Sequence, residues 1–534
     1  MSTIDIITTI LLWTVTAAGI VNLVLEYSRD LMMMQQNSYR RERYMRWLRT
    51  SGDTTSYVRI LAYMGILALL GGHRLPVAIA CVISLIPLAV NIPRLLKARY
   101  KKPLVWTPRA RRIYAVMWGL TALATVAVQI FAPGAYTMAV TAMAAYALSH
   151  VVTMLAVLLL SPVEKAINRR YYREAEQILR SMEGRLTVVG ITGSYGKTST
   201  KYYLGRILAE RFNVLITPGS YNTTLGVVRT VREMMKPYTE VFVCEMGAKN
   251  IGDVAEICRL VRPEMGILTA VGPQHLESFG SIENVQRAKF ELVDSLPASG
   301  AAYINQDFPM IASREVTNCE CHRYTADGAD GADCIATDIV YTPSGTDFTV
   351  CLPGDEPSRM HTRLVGRHNI SNLIPAIAVA RRLGMTMEEI RVGVEQVEQV
   401  EHRLSIKTTP GGITILDDAF NSNPHGSAMA LEVLAGMEGG KRIVVTPGMI
   451  ELGARQEELN AEFGSRIARS ADVAIVVGEY NRNAILDGIA ADGTLAKESV
   501  HAVDTFADAQ RLLASMLSDG DFVLYENDLP DTFK

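Results

Sequence analysis

Residues 188–200 read VVGITGSYGKTST, an apolar run that opens into a glycine-bearing loop and closes on Gly196-Lys197-Thr198 before a helix-compatible stretch. Strand, loop and helix in that order make a phosphate cradle. Glycines admit backbone N–H groups to phosphate oxygens, a lysine neutralises the outer phosphates, and the hydroxyl beside it coordinates Mg²⁺. Thr192, Gly193, Ser194, Tyr195, Gly196, Lys197, Thr198 and Ser199 are therefore the candidate nucleotide-binding residues. The widespread pattern G-x-x-x-x-G-K-[ST] asks for glycine where this chain has Ile191, and the upstream glycine is Gly193 instead. A glycine turn that holds a lysine by chance is the plain alternative; the order of the flanking elements argues against it.

Beyond the loop the chain alternates short β-rich and helical segments, which predicts a mostly parallel sheet with helices on its faces. Strands are predicted at 186–192, 214–217, 241–245, 265–270 and 301–304. A second cycle, from about Arg403, places them at 413–416, 442–445, 473–477 and 522–525. Between the cycles, 335–364 reads as a β-rich insertion and 371–383 as a helix. The expected fold is α/β: a central P-loop domain over 185–400 and a C-terminal Rossmann-like domain over 401–534.

Residues 1–162 read differently. Apolar runs at 6–25, 60–70, 75–90, 113–132 and 136–160 approach the roughly 20 residues that cross a bilayer, so about five transmembrane helices are expected. The second run is short and carries Arg59 near its start. Arg40, Arg41, Arg43, Arg46 and Arg49 crowd the first loop. Arg94, Lys97, Arg99, Lys101, Lys102, Arg109, Arg111 and Arg112 crowd the third, and Lys165, Arg169 and Arg170 follow the last helix. With the basic loops cytoplasmic, the amino terminus lies outside and the α/β part inside the cytoplasmic membrane. A soluble all-helical domain does not segregate arginines by alternate loop. The first run has no basic segment before it and no small-residue cleavage site after it, unlike a cleavable signal peptide. Residues 163–184 are expected to form a linker helix along or leaving the membrane surface, with Ile167, Tyr171, Ile178 and Met182 at helical spacing. The formal net charge of −2 argues against a nucleic-acid partner.

Two polar residues end predicted strands. Glu245 follows VFVC, and His275 follows GILTAVGPQ. Ligands gather at the carboxyl ends of strands in open α/β sheets, so both side chains are expected beside the phosphate loop, where a carboxylate and an imidazole hold a second divalent cation. Read singly, each is as well explained as an ordinary loop residue.

With these residues in view, the chain resembles the ATP-dependent Mur ligases of peptidoglycan synthesis, most closely the branch that adds D-alanyl-D-alanine to UDP-N-acetylmuramoyl-tripeptide. The matching stretches are ITGSYGKTS, TPGSYNTTLG (217–226), CEMGAKNIGDV (244–254), HLESFGSIENVQRAK (275–289), NQD (305–307), GRHNISN (366–372), HRL (402–404), DDAFNSNP (417–424) and ELG (451–453). They run in family order through most of the chain after residue 185.

The resemblance implies a carboxylate–amine ligase that phosphorylates an acceptor carboxylate to an acyl phosphate, which an incoming amine attacks to leave an amide. By carry-over, Lys197 binds the β- and γ-phosphates of ATP, Thr198 holds one Mg²⁺, and Glu245 and His275 position Mg²⁺ near the transferring phosphoryl group. Lys289 matches a lysine that is carbamylated in many members and then helps hold the second metal. Its plain reading is a solvated helix lysine. Asn369 and Asn372 match a pair on the adenine side, and Arg403 and Asp418 match residues that complete the site on domain closure. A helix start and a turn are the ordinary uses of such asparagines and aspartates.

The chain has seven cysteines. Cys319, Cys321 and Cys334 lie near His322, but no C-x-x-C pair occurs and the spacing is poor for structural zinc, so reduced thiols are expected. Two departures from the family bear on substrate. Membrane helices stand where soluble relatives carry a UDP-sugar-binding domain, and VLYENDLPDTF lacks a K-G-S-type segment. The expected acceptor is therefore a muropeptide at the membrane surface, such as an undecaprenyl-linked one, and the expected donor an amino acid or dipeptide amine. Two rival readings stand beside this: a ligase extending a poly-γ-glutamate-like polymer, and a membrane scaffold that binds nucleotide without catalysis. Joint presence of Lys197, Glu245, His275, Lys289 and Asp418 argues against the scaffold.

Overall fold

Apolar length decides the first elements of the chain. The computed structural model describes residues 3–71, 76–98, 100, 102–342, 344–400, 404–419 and 422–528. Helices α1 (Thr3–Gln36), α2 (Arg41–Thr50), α3 (Tyr57–Leu70), α4 (Val77–Lys97), α5 (Pro108–Phe131), α6 (Ala135–Ala147) and α7 (Ser149–Ser181) come first. Of these, α1, α4, α5 and α7 are long and apolar enough to cross a membrane, and α3 is a shorter apolar helix. Side chains such as Ile10, Trp13, Leu67, Val82, Leu123 and Phe131 point outward and are exposed.

The run expected at 136–160 is two helices, divided at Leu148. Arg59, fully buried, explains the break: its guanidinium donates to the Tyr146 and Ala147 carbonyls at 2.8 and 3.2 Å, taking up acceptors at the end of α6. The same group bonds Ser149 Oγ at 3.1 Å and pairs with Glu26 at 3.0 Å. Asn91 donates to Glu26 and Asn22 at 2.9 and 3.1 Å, so Asn22, Glu26, Arg59, Asn91 and Ser149 form a buried polar seam inside an apolar bundle.

The chain divides into two compact units between Ile167 and Asn168. Helix α7 runs through Pro162 to Ser181 without interruption, so 163–184 is not a separate linker helix. Met182 is buried and Ile178 half-buried with Ala175, Leu186 and Val188 of the second unit, whereas Tyr171 of the stripe read at helical spacing is exposed.

The second unit begins with β1 (Thr187–Thr192), α8 (Lys197–Leu208), β2 (Val214–Ile216), α9 (Thr224–Met234), β3 (Val241–Glu245) and α10 (Asp253–Val261). It continues with β4 (Met265–Leu268), α11 (Leu276–Phe279), α12 (Ile282–Asp294), β5 (Ala301–Asn305), α13 (Pro309–Ala312) and β6 (Glu320–Thr325). The central lobe ends in β7 (Cys334–Thr342), β8 (Gly345–Cys351), β9 (Ser358–Thr362), α14 (Arg367–Arg382) and α15 (Met387–Glu395). Its sheet has the order β2-β3-β1-β4-β5-β6-β7-β8-β9. Pairing is parallel as far as β7, and the expected β-rich insertion extends the same sheet as antiparallel β7, β8 and β9. Chain order reverses at β1, whose carboxyl end therefore opens a crevice.

In the C-terminal lobe come β10 (Ser405–Thr408), β11 (Thr414–Asp418), α16 (Pro424–Ala435), β12 (Arg442–Thr446), α17 (Gln456–Ser470) and β13 (Val473–Val477). It closes with α18 (Arg482–Asp492), β14 (Val500–Val503), α19 (Phe506–Met516) and β15 (Phe522–Glu526). Its sheet, β10-β11-β15-β12-β13-β14, is parallel except for β10 against β11. Strands β6, β10 and β14 were not predicted; they are short or carry charged and polar residues that mask the alternating pattern.

Candidate active site

Strand β1 is buried on both faces and delivers the loop into the crevice. Two glycines give the loop its shape. Gly193 has φ 151°, and a Cβ there would lie 2.1 Å from Thr269 Oγ1; Gly196 has φ 77°, and its Cβ would lie 2.4 Å from Asn372 Oδ1. Ser194 N donates to Ala270 O at 2.7 Å, its hydroxyl lies 3.1 Å from Gly272, and Thr192 Oγ1 donates to Met246 O at 2.8 Å. Lys197 starts α8 and folds back over the loop, donating to Gly193 O and Ser194 O at 2.6 and 3.0 Å. Thr198 and the buried Ser199 follow in the first turn.

Glu245 ends β3, and only 1% of it is exposed. Thr198 Oγ1 and Asn222 Nδ2 donate to its Oε1 at 3.2 and 3.0 Å, while Lys201 Nζ donates to Oε2 at 2.9 Å. Burial would push this carboxyl up; the charges of Lys201 and Lys197 and the Asn222 bond outweigh it and hold it below the usual carboxylate range. Lys201 falls outside the sequence reading, and Asn222 enters it only within the TPGSYNTTLG stretch. Lys201 stands one helical turn after Lys197, and that spacing was the available signal.

Lys289, on α12, is buried, with Nζ 5.9 Å from the centre of the Phe279 ring. Burial, then the nearby charge of Lys197, push its ammonium well below the usual lysine range. The solvated helix lysine of the plain reading is thus corrected: Lys289 lies on the face of α12 that also buries Val285 and Val293. His275 precedes α11; burial lowers its pKa, and Lys249 and Lys289 act in the same direction. Its Nδ1 is hydrogen-bonded to Glu451 of the C-terminal lobe, and Lys249 Nζ donates to the other Glu451 oxygen at 2.8 Å. Glu451 entered the sequence reading only within the ELG stretch.

Asn369 and Asn372 lie on α14 against α8. Tyr203 donates to Asn369 Oδ1 at 2.7 Å, and Thr200 to Asn372 Oδ1 at 3.3 Å. From the C-terminal lobe His425 stacks on Tyr195 with ring centres 5.8 Å apart, and Phe308 meets His425 edge-on at 5.3 Å. Asp418 ends β11, accepts from Leu404 N at 3.0 Å, and lies in register with Glu526 on β15. Burial and the Asp418 charge push the Glu526 carboxyl well above its usual range. Lys197, Glu245, Lys289 and His275 thus share one electrostatic neighbourhood, and Asp418 stands at the carboxyl end of β11 in its own lobe. Arg403 lies outside the described residues.

His322, Asp333 and Cys334 bring possible ligand atoms within 4.8 Å of one another. His322 is engaged by Asp333 and Glu320, each at 3.0 Å, so its ring is taken up by an ion-pair cluster.

A glycine cradle, a hydroxyl and a buried carboxylate fit a nucleotide and a hard, oxygen-seeking cation. Residues 191–380 match the model of the Mur ligase middle domain, and 402–525 that of the Mur ligase, glutamate ligase domain. The chain is 32% identical over 366 residues to the UDP-N-acetylmuramoyl-tripeptide--D-alanyl-D-alanine ligase of Mycobacterium bovis, covering 64% of this chain and 70% of that one. The chain belongs to the Mur ligase family. It is 34% identical over 302 residues to the Escherichia coli ligase of the same name, covering 55% of this chain and 65% of the E. coli enzyme. Among solved Mur ligases, MurF from Acinetobacter baumannii superposes with TM-score 0.61 and 26% identity over 68% of this chain and 77% of that chain. A Thermotoga maritima MurF in complex with ADP gives TM-score 0.60 and 26% identity, with 68% and 80% covered. Mur ligases are ATP-dependent ligases that use Mg²⁺, in accord with the cradle and its donor set.

Proposed function

We propose that this chain is a membrane-anchored, ATP-dependent carboxylate–amine ligase that adds D-alanyl-D-alanine or a related amine to a muropeptide-type acceptor in cell-wall synthesis. The observation that carries this reading is the phosphate loop facing Glu245, Lys289 and His275, with Glu451 reaching in from the second lobe. Lys197, now folded on its own loop, swings to the outer phosphates of ATP. Thr198, Glu245 and His275 would hold Mg²⁺, which would supply positive charge against the phosphates. Asn369 and Asn372 border the adenine side. Lys289, carbamylated, supplies a further anion to the metal site. Asp418 and Arg403 approach on closure of the lobes.

Phosphoryl transfer needs placement and charge neutralisation more than covalent help, and this set supplies both. The acceptor carboxylate takes the γ-phosphoryl group, the amine attacks the acyl phosphate, and phosphate leaves as the amide forms. The exposed apolar belt of α1, α3, α4 and α5 and the basic loops support a multi-pass anchor, with the amino terminus outside and both lobes in the cytoplasm. A membrane location favours a lipid-linked acceptor.

The test is ATP hydrolysis by the full chain in nanodiscs with candidate acceptors and amines, with products identified by mass spectrometry. Hydrolysis should require both substrates and vanish in Lys197→Ala. Nucleotide binding without such dependence would leave a scaffold, and a glutamyl polymer product would replace the muropeptide. Normal turnover of soluble UDP-muramoyl-tripeptide with no use of lipid-linked acceptor would remove the lipid-linked part of the proposal.

A further inference from the structure

Across the junction of the two lobes, two non-glycine residues with left-handed backbones face each other. His275 has φ 54° and Glu451 φ 62°. Such conformations cost of order 1–3 kcal/mol each and persist where surrounding structure enforces them, often at functional sites. Here the enforcement is mutual. Glu277 N donates to Glu451 O at 3.4 Å, and Gly453, φ 63°, brings its backbone so close that a Cβ would lie 3.2 Å from Glu277 N. The side chains then meet: His275 Nδ1 with one Glu451 oxygen, Lys249 Nζ with the other at 2.8 Å.

We infer that Glu451 is a positioning residue that reaches from the C-terminal lobe to orient His275 as a metal ligand, so that lobe closure and assembly of the metal site are one event. This rests on the proposed ATP-dependent reading and adds a residue and a coupling to it. The chemistry is general. An imidazole that ligates a metal through one nitrogen donates its other N–H to a carboxylate, which fixes the ring and raises its basicity. With Nδ1 held by Glu451, Nε2 is the nitrogen left for the metal. Because Glu451 belongs to the other lobe, the hydrogen bond exists only when the lobes meet. By linkage, metal binding at His275 must then favour closure by the same factor that closure favours metal binding. Lys249 anchors the second carboxylate oxygen, so that Glu451 arrives in one orientation.

The test uses the full chain in nanodiscs, Mn²⁺ as a paramagnetic probe and a non-hydrolysable ATP analogue. Mn²⁺ affinity is read by electron paramagnetic resonance, and lobe separation by energy transfer between labels on the two lobes. Glu451→Gln should weaken Mn²⁺ binding ten- to a hundredfold, the usual cost of losing such a carboxylate, and should reduce metal-driven closure in parallel. Glu451→Gly relieves the left-handed backbone and should fold at least as well as the wild type while showing the same loss, which separates positioning from folding. Wild-type Mn²⁺ affinity and closure in both variants would overturn the inference and leave the ligase reading intact. Failure of the wild-type chain to bind Mn²⁺ with nucleotide would overturn both.

Discussion

Lys201 Nζ lies 2.9 Å from the Glu245 carboxylate, and neither side chain reaches solvent. The lysine also donates to Gly219 O at 2.6 Å, so a helix, a strand end and a loop converge on one buried ion pair. Removing one member of such a pair leaves an uncompensated charge and costs about 3–5 kcal/mol. Lys201→Met should therefore lower thermal stability sharply, and Lys201→Met with Glu245→Gln should recover most of the loss. Mg²⁺ with nucleotide should restore more of the melting temperature in Lys201→Met than in the wild type, because a cation then replaces the missing ammonium. Equal restoration in both proteins would separate Glu245 from the metal.

A primary amine adds CO₂ only when it is unprotonated. Burial, followed by the charge of Lys197, holds Lys289 well below the usual lysine range, which supplies the neutral amine. Protein equilibrated with ¹³C-bicarbonate should show a carbamate signal that disappears in Lys289→Arg, and degassed, CO₂-free enzyme should lose turnover that bicarbonate restores. An unlabelled wild-type lysine would end the carbamate proposal and leave the other roles standing.

His368, at the start of α14, is pushed down to about 4, by burial first and then by the neighbouring His425. The folded pKa lies below the ordinary value of 6.5, so the unfolded chain binds a proton that the native ring refuses. The resulting stability is present in full above pH 6.5 and drains away as pH falls from 6.5 toward 4. At about 1.4 kcal/mol per pH unit, the loss between pH 6.5 and 5 is about 2 kcal/mol. Burial lowers His425 as well, which adds to the slope in the same direction. Denaturant unfolding between pH 7 and 5 should show a slope that His368→Gln flattens; an unchanged slope would place the proton elsewhere.

The α/β half was legible because its code is local. Strands β3 and β13 were predicted to the residue, and the phosphate loop carried its own glycines and lysine. What escaped was pairing at a distance. Lys201 looks like any exposed helix lysine until β3 delivers Glu245 beside it, and Glu451 lies 176 residues from His275. Asp418 is expected to complete the site on closure of the lobes, and the register that sets it opposite Glu526 is not visible in its own sequence neighbours. In the helical unit, hydropathy shows length but not a break at one residue. Leu148 is as apolar as its neighbours, and the arginine that caps the break belongs to another helix.

That arginine yields the last prediction. Arg59 gives up hydration to bond two carbonyls at the end of α6, the Ser149 hydroxyl and the Glu26 carboxylate. Arg59→Leu leaves Glu26 buried against Asn91 and the more distant Arg29 and Arg94, at 3.3 and 3.6 Å, and removes the side-chain donor from the Tyr146 and Ala147 carbonyls, of which Tyr146 O keeps the Leu148 N–H. A loss of about 3–5 kcal/mol is expected, as for other broken buried pairs. Arg59→Lys should rescue little, since one ammonium cannot reproduce a planar fork that serves four acceptors. All four tryptophans, Trp13, Trp47, Trp106 and Trp118, belong to the helical unit, so tryptophan fluorescence reports its melting without interference from the ligase lobes. A wild-type fluorescence transition in Arg59→Leu would mean that α6 and α7 are divided without help from the guanidinium.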